Sequence, residues 1–100
     1  LKVIDVLLTG DLSRIRSETV ADSLRISPTT LRRRLSRDSM SYQTILDAVR
    51  RYRCEESLAD DWVPGKCLAW DLGYAEVNSF YRAFRRWTGR NYSDVKLLLI

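Results

Sequence analysis

Arginine side chains concentrate in residues 32–37 and again in residues 82–90 of the chain. The planar guanidinium group makes paired hydrogen bonds to phosphate oxygens or to the O6/N7 edge of guanine. Just before the later segment, Asn78 adds an amide that can pair with the N6/N7 edge of adenine. Apolar residues recur at helical spacing over residues 80–87, which predicts a helix with one buried stripe. The opposite face of that helix is suited to phosphates and base edges.

A tight turn and a shorter helix are predicted just ahead of this basic helix. Gly73 supplies the left-handed backbone that ends a helix without a Cβ penalty. A short helix, a glycine turn and a basic second helix form the helix-turn-helix arrangement, in which the second helix enters a DNA major groove. The sequence therefore predicts binding to double-stranded DNA.

The same arrangement is predicted earlier in the chain. Residues 17–24 read as a short helix, followed by a turn at Arg25 and Ile26. Ser27 then offers a capping hydroxyl, and Pro28 the fixed φ of a first helical turn. The two units repeat at a period of about 48 residues, which is compatible with one long helix joining them.

All the periodicity in the chain is helical, so we predict an all-α fold of seven helices: two helix-turn-helix subdomains bridged by a long central helix. The first unit would occupy about residues 1–40, the linker helix about 41–60 and the second unit about 61–100. The predicted helices are 2–8, 17–24, 28–38, 41–60, about 65–72, 76–87 and 93–99, with a polar loop over 9–16 and Ser93 as the cap of the last helix.

Composition limits the possible functions. The chain has 100 residues, a net charge of +4, 45% hydrophobic residues, two cysteines and no histidine. This composition argues against disorder, a membrane span and a disulfide framework. Without histidine, a phosphate-binding loop or paired acids, an enzyme is not expected, and no metal or cofactor is predicted. Because Met40 is the only methionine, we expect the sequence to be a piece of a longer protein.

The sequence resembles the AraC/XylS family of bacterial transcription regulators over essentially its whole length. The similarity lies in three segments, in the order and spacing of the family: residues 27–35, 42–50 and, most strongly, 72–89. The resemblance implies that helices 3 and 6 are the recognition helices. It also implies a cytoplasmic regulator with a sensor or dimerisation domain outside this sequence. We take activation as the working expectation, with repression left open.

The resemblance, together with side-chain chemistry, selects the candidate DNA contacts. The candidates for base contacts are Thr29, Arg32, Arg33, Val77, Asn78, Tyr81 and Arg82. The candidates for phosphate contacts are Ser27, Thr30, Arg37, Ser79, Arg85 and Arg86. For Tyr81, sugar and phosphate contact and simple cover of the helix surface are equally weighted. Since Arg32, Arg33 and Arg34 are consecutive, not all three can face one groove.

The sequence departs from the family pattern at four positions in the second unit. Pro64 and Gly65 replace a capping residue and an apolar residue, Ala75 replaces the polar cap of helix 6, and Tyr92 replaces a proline. Because missing caps leave backbone donors without partners, we expect a looser second unit and a poorly ordered loop over residues 61–66.

Other residues are expected to be structural. Phe80, Phe84, Trp87, Trp62 and Trp70 are predicted to pack, Cys54 to lie in the core and Cys67 on an outer helix face. Arg50, Arg51 and Arg53 are expected on a solvated helix face, with phosphate contact as the alternative. The alternative function is a protein-interaction module, with RNA polymerase as the candidate partner.

Overall fold

A computed structural model of the chain describes residues 2–98, and these residues form seven α-helices. The helices are α1 (Lys2–Thr9), α2 (Ser17–Ser23), α3 (Pro28–Arg37), α4 (Tyr42–Asp60), α5 (Gly65–Asp71), α6 (Val77–Thr88) and α7 (Tyr92–Leu98). The prediction of an all-α fold with seven helices is confirmed. Helix α7 begins at Tyr92, so Ser93 lies inside it and is not its cap. The predicted end of that helix at Leu99 lies outside the described residues.

The turn between α2 and α3 is a hydrogen-bonded helix ending. The amide of Arg25 donates to the Asp22 carbonyl at 3.0 Å, and that of Ile26 to the Ala21 carbonyl, also at 3.0 Å. This pair of backbone hydrogen bonds requires a residue with left-handed backbone after the helix. Arg25 adopts that conformation, with φ 58°. Ser27 then caps α3 as predicted, because its Oγ accepts from the amide of Thr30 at 3.1 Å.

The turn between α5 and α6 repeats this pattern. The Gly73 amide donates to the Trp70 carbonyl at 3.0 Å, and the Tyr74 amide to the Ala69 carbonyl at 2.9 Å. Gly73 has the predicted left-handed backbone, with φ 86°. The two helix-turn-helix units are therefore closed by the same backbone hydrogen bonds, although their turn sequences differ.

The hydrophobic core runs through both units and along α4. Ile45, Leu46 and Val49 are buried on α4, together with Cys54, whose place in the core was predicted. Burial raises the pKa of the Cys54 thiol to about 12, so it behaves as a small apolar residue, whereas Cys67 is exposed. The loop over residues 9–16 is less polar than expected, because Leu12 is buried in the core.

Aromatic side chains form the centre of the second unit. Phe80 and Phe84 are buried, and both rings meet Tyr92 edge-on with 5.1 Å between ring centroids. Trp62 is half-buried and stacks on Tyr92 at 6.2 Å. The prediction that Trp70 packs is wrong, since 67% of it is exposed on the outer face of α5. Trp87 is half-buried at the edge of the cluster.

Two of the departures in the second unit, Gly65 and Tyr92, lie at close contacts within that unit. A Cβ atom at Gly65 would lie 2.3 Å from the hydroxyl oxygen of Tyr81, so the Tyr81 ring fills the space that a larger residue 65 would occupy. The buried Tyr92 donates its hydroxyl to the Val63 carbonyl at 2.5 Å, which ties the loop before α5 to α7. Both contacts oppose the loosening expected from the missing caps.

The expectation that Arg50 and Arg53 lie on a solvated helix face is wrong, because both bind backbone carbonyls at the ends of other helices. Arg50 donates to the carbonyls of Leu72 and Gly73 at 2.8 and 2.9 Å, at the end of α5. Arg53 donates to the carbonyls of Leu7 and Gly10 at 3.1 and 2.7 Å, at the end of α1. Both arginines satisfy helix carbonyls that have no partner within their own helix. Arg51, in contrast, lies on the exposed side of α4 and pairs with Glu55 at 3.1 Å.

The cap position of α6 is Glu76 and not Ala75, since the helix begins at Val77. Glu76 has an extended backbone, and its side chain makes no capping hydrogen bond. Replacing Glu76 with serine should stabilise the fold by about 1 kcal/mol, because serine oxygen accepts a bond from a free amide of the first turn. Urea denaturation would measure the gain. Ala75→Ser is the matched control and should change the free energy of unfolding little; a gain from Ala75→Ser alone would contradict the assignment.

Burial raises the pKa of the Tyr92 phenol to about 12, above the value of about 10 for an unfolded chain. Between these two pH values the folded protein keeps a proton that the unfolded chain has lost, and this difference favours unfolding. The contribution of the Tyr92 phenol to the free energy of unfolding is therefore complete below about pH 10 and is lost as the pH rises towards about 12. Tyr92→Phe should be less stable at neutral pH by about 1 kcal/mol, because the Val63 carbonyl loses its donor. Its melting temperature should also fall less steeply at high pH. If the melting temperatures of the two proteins fell equally with pH from neutral to alkaline conditions, the proposed role of the Tyr92 phenol would be contradicted.

The molecule is elongated, with extents of 46 × 23 × 22 Å. Helix α4 has 19 residues and is therefore about 28 Å long. Among residues 2–98, no helix is both long and apolar enough to span a membrane. The long dimension leaves room for α3 and α6 to lie apart along one molecule.

Candidate nucleic-acid interface

Helix α3 presents its polar residues outward because Leu31 and Leu35 anchor its other face in the core. The predicted base-contacting residues Thr29, Arg32 and Arg33 are all exposed, Thr29 in the first turn of the helix and the two arginines at its middle. The N-terminal part of a recognition helix is the part that reaches base edges in a major groove. The structure thus places these three side chains on the exposed face of α3, within the first six of its ten residues.

The predicted phosphate contacts of the first unit lie at both ends of α3. Ser27 and Thr30 are joined at the N-terminus, where the Ser27 hydroxyl donates to Thr30 Oγ1 at 2.8 Å. Arg37 is exposed in the last turn, two turns beyond Thr29. The salt bridges found within residues 2–98 involve only Arg14, Arg51 and Arg86 as cations. The arginines of α3, including Arg34, therefore keep their charge available to an external anion.

Helix α6 presents Asn78 and Arg82 on its exposed side, opposite the buried Phe80 and Phe84. Arg82 donates to Ser79 Oγ at 3.3 Å, so a base candidate and a phosphate candidate lie side by side. These neighbours leave the amide of Asn78 and most of the Arg82 fork facing outward.

Val77 and Tyr81, the other two base candidates on α6, are turned partly towards the protein. Val77 is half-buried and packs against the core. Tyr81 is 38% exposed, and its ring stacks on Tyr92 with 6.1 Å between ring centroids. With its hydroxyl over Gly65, Tyr81 covers the start of α5 in the free protein. The geometry thus favours cover over DNA contact for Tyr81, while Val77 offers only part of its surface.

Arg85 and Arg86, predicted to bind phosphate, each have a partner within the protein. Arg85 donates to the Asn91 side-chain oxygen at 2.6 Å. Arg86 forms a salt bridge with Asp47 of α4 at 2.8 Å, and the indole nitrogen of Trp87 donates to the same carboxylate at 3.2 Å. Sequence reasoning missed Asp47 because it lies 39 residues before Arg86. No local spacing rule connects residues so far apart.

A model of the Helix-turn-helix domain family, of the AraC type, matches residues 20–96 of this chain. The HTH-type transcriptional regulator VqsM of Pseudomonas aeruginosa is 37% identical over 78 residues, which is 78% of this chain and 24% of that protein. The Ornithine utilization regulator of the same organism is 38% identical over 79 residues, or 79% of this chain and 23% of that protein. The chain thus spans about a quarter of the length of these curated relatives.

A solved structure shows the same architecture. The transcriptional regulator CdpR from Pseudomonas aeruginosa aligns with a TM-score of 0.81 and 34% identity, over 95% of this chain and 30% of that chain. The family model is that of a helix-turn-helix domain, the curated relatives are regulators, and the solved structure shares the fold described above. The chain belongs to the AraC/XylS family and is the DNA-binding part of a transcription regulator.

Proposed function

We propose that the chain reads a specific sequence in double-stranded DNA by placing α3 and α6 in successive major grooves on one face of the duplex. The observation that carries this proposal is the repeated pair of helix-turn-helix units, each with an exposed polar face on its second helix. Successive major grooves on one face lie about 34 Å apart. The long dimension of 46 Å accommodates that separation within one chain.

The proposed base contacts are divided between the two helices. On α3 they are Thr29, Arg32 and Arg33; on α6 Asn78 and Arg82 form the main pair, with Val77 and Tyr81 at its edge. The proposed phosphate contacts are Ser27, Thr30, Arg37, Ser79, Arg85 and Arg86. For the last two arginines, phosphate must share or replace the protein partners that they have in the free state.

Selection from a random duplex library tests the proposal directly. We expect enrichment of two short sequence blocks whose centres lie about one helical turn, or 10–10.5 bp, apart. Affinity for the selected site should fall steeply with salt, because arginines release counterions from the phosphates that they neutralise. Enrichment of a single block, protected over one groove segment only, would contradict the use of both helices.

The proposal extends to the protein that contains this chain. We assign to it a cytoplasmic transcription activator with a sensor or dimerisation domain, since relatives are much longer than the matched region. RNA polymerase is the proposed protein partner, and no enzymatic step is assigned to the chain.

Trp70 supports a protein contact, because it is 67% exposed on α5, outside both recognition helices. If Trp70 serves that contact, Trp70→Ala should lower transcription from a bound promoter and leave duplex affinity unchanged.

A further inference from the structure

Three side chains on one side of α4 fasten both helix-turn-helix units to the same short stretch of helix. We call Asp47, Arg50 and Arg53 the α4 polar row. They are spaced three residues apart, so the row is about 9 Å long. The row is short compared with α4 itself, which has 19 residues.

Asp47 and Arg50 hold the second unit. Asp47 accepts from Arg86 at 2.8 Å and from the Trp87 indole at 3.2 Å, which fixes the last turns of α6. Arg50 donates to the Leu72 and Gly73 carbonyls at the end of α5, and its guanidinium carbon lies 4.1 Å from the centroid of the Tyr74 ring. Both helices of this unit are therefore tied to α4 by directional contacts.

Arg53 holds the first unit. Its guanidinium donates to the carbonyls of Leu7 and Gly10, at the end of α1. The two units also touch directly beside the row, since a Cβ atom at Gly73 would lie 2.3 Å from the Leu12 carbonyl oxygen. Both units thus contact the middle of α4, and they are not attached only at its two ends.

We propose that the α4 polar row fixes the separation and rotational phase of α3 and α6, and so determines which spacing between the two halves of a DNA site the protein accepts. The inference rests on the proposed function, because it requires both helices to bind one duplex. Changing the spacing by one base pair rotates one half-site by about 34° relative to the other. A rigid protein can follow that rotation only by deforming DNA, which reduces affinity by about tenfold.

The test measures affinity for duplexes that carry both selected half-sites, with the spacer shortened or lengthened in single-base-pair steps. Wild-type protein should show one optimum, with neighbouring spacers bound about tenfold more weakly. Asp47→Asn, Arg50→Lys and Arg53→Lys should flatten this profile to within about threefold, and the two arginine variants should leave affinity for an isolated half-site unchanged. Arg51→Lys is the matched control, because Arg51 pairs only with Glu55 on its own helix, and it should keep the wild-type profile.

A distance measurement on the free protein gives a second, independent readout. Cys67 is exposed on α5 and Cys54 is buried, so a spin label reacts with Cys67 and a second label with Ser36→Cys on α3. The distance distribution should be narrow in the wild-type background and broad in the three row variants. Row variants with a wild-type spacer profile and a narrow distribution would overturn the inference, as would a flat profile for the wild-type protein. Failure of the proposed function is a separate result, in which the wild-type protein selects no DNA sequence at all.

Discussion

Gly73→Ala is expected to destabilise the protein by about 3 kcal/mol, which is a large part of the stability of a small domain. Two effects combine at this position. The residue has φ 86°, and a Cβ atom in the left-handed region costs about 1–2 kcal/mol. The added Cβ would also lie 2.3 Å from the Leu12 carbonyl oxygen. Because the obstructing atom belongs to the backbone, it cannot rotate away, and overpacking of this kind costs about 1–3 kcal/mol more.

Gly89→Ala is the matched control for this prediction. Gly89 has nearly the same backbone, with φ 75°, but apart from its two chain neighbours no described residue has an atom within 4 Å of the position its Cβ would take. Its substitution should therefore cost only the backbone term, about 1–2 kcal/mol. Urea denaturation of both variants, followed by circular dichroism, gives the two free energies of unfolding. Equal losses would show that the contact between Gly73 and Leu12 does not contribute.

The comparison of Gly73 with Arg25 shows what the sequence could and could not predict. Sequence reasoning correctly assigned Gly73 to a left-handed helix ending. However, Arg25 adopts φ 58° in the equivalent turn of the first unit, so the turn alone does not demand glycine. The additional demand comes from Leu12, which lies in a loop distant in sequence. Local conformation can be predicted from local residue types, whereas close approach between units cannot.

The same division applies to the helices and their caps. Helical spacing of apolar residues predicted all seven helices, and Ser27 was correctly identified as the cap of α3. The cap of α6 was misplaced by one residue, because Ala75 and Glu76 both lack a capping side-chain bond and leave no local signal for the boundary. Trp70 was predicted to pack, although its position on α5 faces outward.

The candidate interface could be predicted in its composition but not in its internal contacts. The family resemblance and side-chain chemistry selected Thr29, Arg33 and Asn78, and the structure places all three on exposed helix faces. The partners of Arg86 and Arg50 could not be predicted, because they depend on how α4 crosses the second unit. The residue type arginine does not indicate whether its guanidinium group binds a carboxylate, a backbone carbonyl or an external phosphate.

Arg33 and Arg37 allow the two kinds of DNA contact to be separated on a single helix. They lie one turn apart on the exposed side of α3, and neither takes part in a salt bridge within residues 2–98. Arg33→Ala should reduce affinity for the selected site by about 1–3 kcal/mol and relax the base preference in one half-site only. Binding selection repeated with the variant would show the position at which preference is lost.

Arg37→Ala should instead weaken all duplexes to a similar extent, because a phosphate contact carries no sequence information. Removing one phosphate contact should also reduce the slope of log affinity against log salt by about one. Each effect is specific to its variant: Arg33→Ala changes which sequence is preferred, and Arg37→Ala changes the salt dependence. Since both variants remove the same charge from the same helix, a general loss of positive potential would affect them equally. If both variants lower affinity uniformly and leave the selected sequence unchanged, then α3 does not read bases through Arg33.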